Sequence, residues 1–420
     1  MKLLYVRLIF TGILFLIFSF FTKPVLAATY YVSPTGSGTV CTSSNPCSLS
    51  QPSLSAGDTL YLKGGTYTRG TKLNFTSSGT ATSRITISSA PGEDAVISGD
   101  VNGNNVVDEV DGPRVNGADK WTPLVLLSGN NILFKDIEVK FSGGRGLQSI
   151  GEDNTFSGNN VHHIWNIGIF IHGLNNIVDG NTVWRTAESN FCDGVGGSRA
   201  CNGNWPGGIA WGSVDAFGPP GRAPNTIIRN NTVYHVSGEG IICMQTDGGL
   251  VENNIVYDNW AEGIYLDQCS FTTIQKNLSY YTSDKAWWRF SNGNQPADPF
   301  LTSNEAINGY PVNGHDIKVL NNVFIDGRWG FGFWEGFLSG SHLENVDIEN
   351  NTIISSFGNG MSIFIDSGNH KNVNIKNNII YQTSGTPASV SGGGVTFFHN
   401  LWYPLNGITG VGDIRQDSKF

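Results

Sequence analysis

An asparagine followed by apolar or aromatic residues recurs along this chain, and no other feature restricts its fold so strongly. The instances are Asn160-Val161, Asn181-Thr182-Val183-Trp184, Asn231-Thr232-Val233-Tyr234, Asn254-Ile255-Val256-Tyr257, Asn277-Leu278-Ser279-Tyr280, Asn322-Val323-Phe324-Ile325, Asn351-Thr352-Ile353-Ile354, Asn378-Ile379-Ile380-Tyr381 and Asn400-Leu401-Trp402-Tyr403. Their spacings are 21, 50, 23, 23, 45, 29, 27 and 22 residues. Two of these are near-doubles, so the unit is a coil of about 22 residues interrupted by two long insertions. A second apolar column precedes the anchors by three residues: Ile228, Val251, Ile274, Val319, Ile348, Ile375 and Phe397.

These runs are too short for helices, are rich in β-branched residues, and are separated by Gly, Asn and Asp, so each coil should hold two or three short strands joined by turns. One coil cannot bury its own apolar face. Stacked in parallel about 4.8 Å apart, coils turn the columns into a continuous interior with like residue over like. The repeated Asn then becomes an internal ladder, its amide bonding to the next coil at a turn that suits left-handed geometry. The expected architecture is all-β, a single-stranded right-handed parallel β-helix. A sandwich or propeller built of alternating antiparallel hairpins would not hold one position fixed every ~22 residues.

Composition agrees. Only 14% of the 420 residues are charged, Gly numbers 54, and 25 basic against 34 acidic residues give −9. Such a chain is no general binder of nucleic acid or anionic membrane. Lys2 and Arg7 precede an apolar run from Leu8 to Phe21, and Val25-Leu26-Ala27 offers a cleavage site, so residues 1–27 read as a signal peptide. The run falls short of the ~20 residues of a membrane span. Residues 28–420 then form the β-helix domain, secreted, with 22 basic and 34 acidic residues and a balance of −12. In an exported chain six cysteines favour disulfides: Cys41 with Cys47, Cys192 with Cys201, and Cys243 with Cys269. A monomer is expected, with no membrane contact after cleavage.

The segments Tyr30-Tyr31-Val32-Ser33-Pro34-Thr35-Gly36, Gly57-Asp58-Thr59-Leu60-Tyr61-Leu62 and Gly64-Gly65-Thr66-Tyr67 resemble the opening of secreted β-helix proteins of the pectate-lyase-like superfold. Many of those are polysaccharide lyases or glycoside hydrolases, so the resemblance implies a polysaccharide partner. It does not specify the reaction, because one fold hosts several chemistries. The paired aspartates and Gly-His-Gly of polygalacturonases are missing; Gly314-His315-Asp316-Ile317-Lys318 comes nearest. The lysine and arginine motifs of chondroitinase-B-like lyases are also missing, so no catalytic residue carries over.

Between Asn231, Asn254 and Asn277 the period is a strict 23, and columns follow by addition. Eight residues after each anchor come Glu239, Glu262 and Lys285, and four residues after the first comes His235. Stacked carboxylates raise one pKa unless a cation such as Lys285 compensates, which suits a general acid or base. Asp267 and Arg289 fall near the same face. The two insertions flank these coils and bring Trp205, Trp211, Trp287 and Trp288, whose ring faces suit sugar C–H groups. A groove over coils 231 to 290 is the expected site.

A separate segment, Asp100 to Asp111, offers oxygen ligands at Asp100, Asn102, Asn104, Asp108 and Asp111 with the Val106 carbonyl at the seventh position. It resembles the calcium loop of dockerins, departing from the EF-hand pattern by Asn105 where Gly is usual and by the shorter Asp111. Ca²⁺ is therefore an expected cofactor that orders a loop.

Three functions follow. A lyase acting by β-elimination on an acidic glycan needs a neutralised uronate and a base such as Lys285, Arg289 or His235. A glycoside hydrolase needs a carboxylate pair, drawn from Glu239, Glu262 and Asp267. A non-catalytic glycan-binding or adhesin-like surface protein would use the columns only as flat area. The lyase is the leading expectation.

Overall fold

The computed structural model of the 420-residue chain describes residues 27–190, 206–212, 223–289, 295–305, 313–338, 340–355, 360–366, 368–403, 408 and 410–415. The signal peptide assigned to residues 1–27, except Ala27, lies outside them. So do Trp205 and the pair Cys192 and Cys201, together with much of both insertions.

Strands gather into three parallel sheets of 13, 11 and 13 members, each strand pairing with its counterpart one coil later. No α-helix occurs among the described residues, only three short 3₁₀ turns. The chain forms a right-handed parallel β-helix. One coil shows why. Thr226–Arg229, Thr232–Tyr234 and Ile241–Met244 contribute one strand to each sheet. Within them Ile228, Val233, Ile241 and Cys243 point inward and are fully buried. The column that precedes the anchors is buried throughout, from Ile228 to Phe397.

The asparagine ladder exists and is continuous. Asn254 accepts from the Asn231 N–H at 2.9 Å and from its Nδ2 at 3.0 Å, and donates to Ile228 O and to Asn277 Oδ1, both at 3.0 Å. The same pattern runs from Asn159 to Asn400. Its first member is Asn159, not Asn160: Asn160 is paired with Thr182, which puts Asn159 beside Asn181 at a separation of 22. Left-handed geometry falls one residue before the anchor, at Asn230, Asn253, Asn321, Asn350 and Asn377 with φ of 55 to 57°. The short polar side chain tolerates that turn, and the anchor itself faces inward.

Among the described residues two disulfides are present, Cys41–Cys47 across a short loop and Cys243–Cys269 in the core. Trp211 requires a correction. It pairs with Cys243, points into the core and is completely buried, so it offers no face to a sugar. Alternation in Ile209–Gly212 aims it inward with Ile209.

Candidate functional site

The site grows from one corner of three successive coils. Ile241 pairs with Ile264 and Ile264 with Phe300, so Glu239, Glu262 and Asp298 occupy the same position two residues upstream. The main chain confirms the stacking: Gly240 N–H donates to Glu262 O at 2.9 Å and Gly263 N–H to Asp298 O at 2.8 Å. Glycine at this corner is a steric requirement, because a Cβ on Gly240 would lie 2.5 Å from Gly263 O. Coils therefore approach closely just after each acid.

Lys285 is not the third member of the column. This coil is longer than 23 residues, so adding 23 to Glu262 falls short, and the position passes to Asp298. Lys285 instead opens the 3₁₀ turn Lys285–Trp287, exposed, with its ammonium 5.3 Å from the centre of the Trp288 ring. Trp287 is buried and stacks on the His235 ring at 4.5 Å; it fills the interior of the turn and presents no free face. Trp288 is half-buried and donates from Nε1 to Thr282 O at 3.1 Å. Just past the turn, Arg289 lies over Trp260 at 5.6 Å and donates to Glu262 Oε1 at 2.7 Å. One turn thus carries Lys285 at its exposed start, packs Trp287 on His235, and delivers Arg289 to Glu262.

The three acids differ in their partners. Glu262 holds Arg289. Asp298 receives Arg328 through Nη2 at 2.6 Å and Nε at 3.2 Å, and the Trp329 N–H at 2.8 Å. Glu239 is 3% exposed and its Oε2 accepts no hydrogen bond among the described residues. Burial pushes its carboxyl well above the usual range, and the Glu262 and Glu305 carboxylates add to the effect. Glu239 thus sits with a raised carboxyl one coil from an ion-paired neighbour.

A second group lies on the outward side of the next strand. In Ile264–Asp267, Ile264 and Leu266 face the core while Tyr265 and Asp267 face out. Tyr265 donates to Glu305 Oε1 at 2.6 Å and shares a hydrogen bond with Ser303. Glu305 N–H donates to Asp267 Oδ1 at 2.9 Å, and Asp267 Oδ2 has no partner among the described residues. Burial first, then the Glu305 carboxylate, raises Asp267 to about 8. Asp298, Arg328, Glu305 and Tyr265 escaped the sequence reading because each lies past or inside the second insertion, or outside the acid column. Aligning Phe300-Leu301-Thr302-Ser303 with Ile264-Tyr265-Leu266-Asp267 would have recovered Asp298.

Among the described residues, no three His, Cys, Asp or Glu side chains are arranged to hold a metal ion by themselves. The segment 100–111 lies far from these acids, between the strands Ala95–Ser98 and Pro123–Leu127.

Comparison with known proteins agrees with this architecture. Residues 30–216 match the family described as Pel9A-like, right handed beta helix region, and residues 220–335 match that described as periplasmic copper-binding protein (NosD). A segment of 88 residues is 38% identical to pectate lyase PEL9 of Emericella nidulans, covering 20% of this chain and 22% of that protein. Pectate lyase Pel9A superposes over 89% of this chain and 78% of its own, with 20% identity and a TM-score of 0.51. The GH136 lacto-N-biosidase of Eubacterium ramulus superposes over 89% and 67%, with 15% identity and 0.55. A mannuronic acid specific family 6 lyase from human gut microbiota superposes over 92% and 82%, with 15% and 0.50.

The chain has the right-handed parallel β-helix fold of these structures. Its N-terminal part is similar to the Pel9A-like region, and the coils bearing the acids fall within the stretch similar to NosD.

Proposed function

We propose that this protein is a carbohydrate-active enzyme that cleaves an acidic polysaccharide by β-elimination. The observation that carries the reading is that the turn stacking Trp287 on His235 delivers Arg289 to Glu262, one coil from the buried Glu239, whose carboxyl is raised by burial. Elimination needs a cation against the uronate carboxylate, a base for the proton beside it, and an acid for the departing oxygen. Arg289 supplies the cation. His235 or Lys285 takes the proton, and Glu239 protonates the leaving group. The similarity to pectate lyase PEL9 supports this chemistry over the segment it spans. The periplasmic description of the second match and the two disulfides support an extracellular or periplasmic location.

A second reading rests on the stacked acids. Glu239 and Glu262 stand one coil apart, about 4.8 Å along the stack, close to the ~5 Å carboxylate separation of retaining glycosidases. One test separates the two. Purified protein is incubated with acidic and neutral polysaccharides; new ultraviolet absorbance from a conjugated double bond establishes elimination, while reducing ends without it establish hydrolysis. Binding with neither product overturns both.

A further inference from the structure

The loop following Ala95–Ser98 folds its main chain around its own oxygen atoms. Asp100 Oδ1 accepts the N–H groups of Gly103 at 2.7 Å and Asn104 at 3.1 Å, and its Oδ2 accepts that of Asn105 at 3.1 Å. Asn102 Oδ1 accepts from Asn104 at 3.0 Å, Asn104 Oδ1 from Val106 at 2.8 Å, and Asp108 Oδ1 from Val110 at 2.9 Å. Asn105 adopts φ of 56° at the sixth position, where an EF-hand loop turns sharply on glycine. The sequence departure at Asn105 therefore leaves the turn intact, since Asn is the non-glycine residue that tolerates this conformation best.

Asp111 points to a ligand independently of that geometry. It is 0% exposed, and its Oδ2 accepts the Asp108 N–H at 3.0 Å, which turns the carboxylate into the loop. Its Oδ1 is buried and has no hydrogen-bond partner among the described residues. Leaving a buried carboxylate oxygen unsatisfied is costly, and a cation inside the loop removes the cost. Arg114 does not fill that role, because its guanidinium turns to Glu109 at 3.2 Å.

We propose that residues 100–111 bind one calcium ion through side-chain oxygens of Asp100, Asn102, Asn104, Asp108 and Asp111 and the Val106 carbonyl. Three carboxylates alone do not make the cage; the two asparagines and the carbonyl complete an all-oxygen set of the size calcium prefers. Without a bidentate glutamate at the last position, affinity belongs in the weak extracellular range of about 10⁻⁴ to 10⁻³ M. The ion is structural. Gly112, next in the chain, donates to Gly99 O at 2.9 Å and accepts from Gly143 N–H at 3.1 Å, so an ordered loop ties neighbouring coils together. A Cβ on Gly143 would lie 2.7 Å from Asp111 O, which measures how tightly the adjoining coil presses on the loop. Four coil steps separate this coil from Thr232–Tyr234, about 19 Å along the stack, so the site is distinct from the acids at Glu239 and Glu262.

Equilibrium dialysis of EDTA-treated, full-length secreted protein against millimolar calcium tests the proposal, with far-ultraviolet circular dichroism as the check on folding. The wild type should bind one ion more than either Asp108→Ala or Asp111→Asn, and equimolar magnesium should not displace it. Asp111→Asn keeps the side-chain volume, so it decides the matter should Asp108→Ala fail to fold. Equal calcium in the wild type and Asp111→Asn, whether zero or not, overturns the assignment. The readout is a bound ion and does not depend on enzymatic activity.

Discussion

Arg289 Nη1 stands 2.7 Å from Glu262 Oε1 although 27 residues separate the two, and both side chains are largely withdrawn from water, at 19% and 6% exposure. Neighbouring coils place the acid; the turn at Lys285–Trp287 delivers the base. Breaking such a pair from one side leaves a buried charge. Arg289→Ala should therefore lower stability by about 3–5 kcal/mol, discounted for the exposure of the guanidinium, and abolish turnover. Glu262→Gln keeps the shape but leaves the Arg289 guanidinium without its carboxylate, so it should also lose stability, though less than Arg289→Ala because the guanidinium is the more exposed partner. Its kcat/KM should fall about 10²-fold or more. Urea melts and steady-state assays on polysaccharide check both; wild-type turnover by Arg289→Ala would remove Arg289 from the chemistry.

Asp267 gives a pH prediction whose sign is fixed. Its carboxyl titrates near 8 in the folded state against 3.8 in the reference state, with Glu305 and the Tyr265 hydroxyl packed on the same face. A folded pKa above the unfolded one means stability present below the unfolded value and lost as pH rises toward the folded one. The wild type should lose stability between about pH 4 and pH 8, while Asp267→Asn should show a flatter profile. Tm measured across that window decides it, and parallel curves for the two proteins would reject the assignment.

Asn254 is 1% exposed and engaged on all its polar atoms. Asn254→Ala strands the Asn231 N–H and the Ile228 carbonyl in the interior, at about 1–3 kcal/mol for each orphan, so a loss of roughly 3–5 kcal/mol is expected. Asn254→Asp should fail too, since a carboxylate has no N–H for Ile228 O. Denaturant titration measures both, and a loss below about 1 kcal/mol would mean the ladder is dispensable.

The Cys243–Cys269 bridge is wholly buried and closes a 26-residue separation. Replacing both cysteines by alanine should cost about 3.5 kcal/mol on the chain-entropy account. Dithiothreitol alone should reduce Cys41–Cys47 sooner than Cys243–Cys269: both bridges are buried, but Thr42 and Ser43 beside Cys41 are exposed, so opening that short surface loop uncovers its sulfurs at lower cost. Thiol labelling after timed reduction distinguishes the two rates.

Much of the fold was legible because a stacked coil repeats one environment. Asn231, Asn254 and Asn277 meet the same ladder, and Ile228, Val251 and Ile274 the same core. The site was legible only where the period held. Glu239 and Glu262 were found by adding 23, and the rule failed at Lys285 because an insertion of unstated geometry intervened. Trp211 was misjudged for a related reason: a tryptophan beside a loop reads as exposed, whereas its strand parity sends it inward.

The sequence by itself determined the β-helix and its ladder, since residues about one coil apart must carry the same side chains if parallel strands are to stack. Which cation meets which acid belonged to the tertiary structure alone. Ion pairs such as Arg289 with Glu262 and Arg328 with Asp298 join positions 27 and 30 residues apart through insertions that obey no period. Those partners meet only when the coils close.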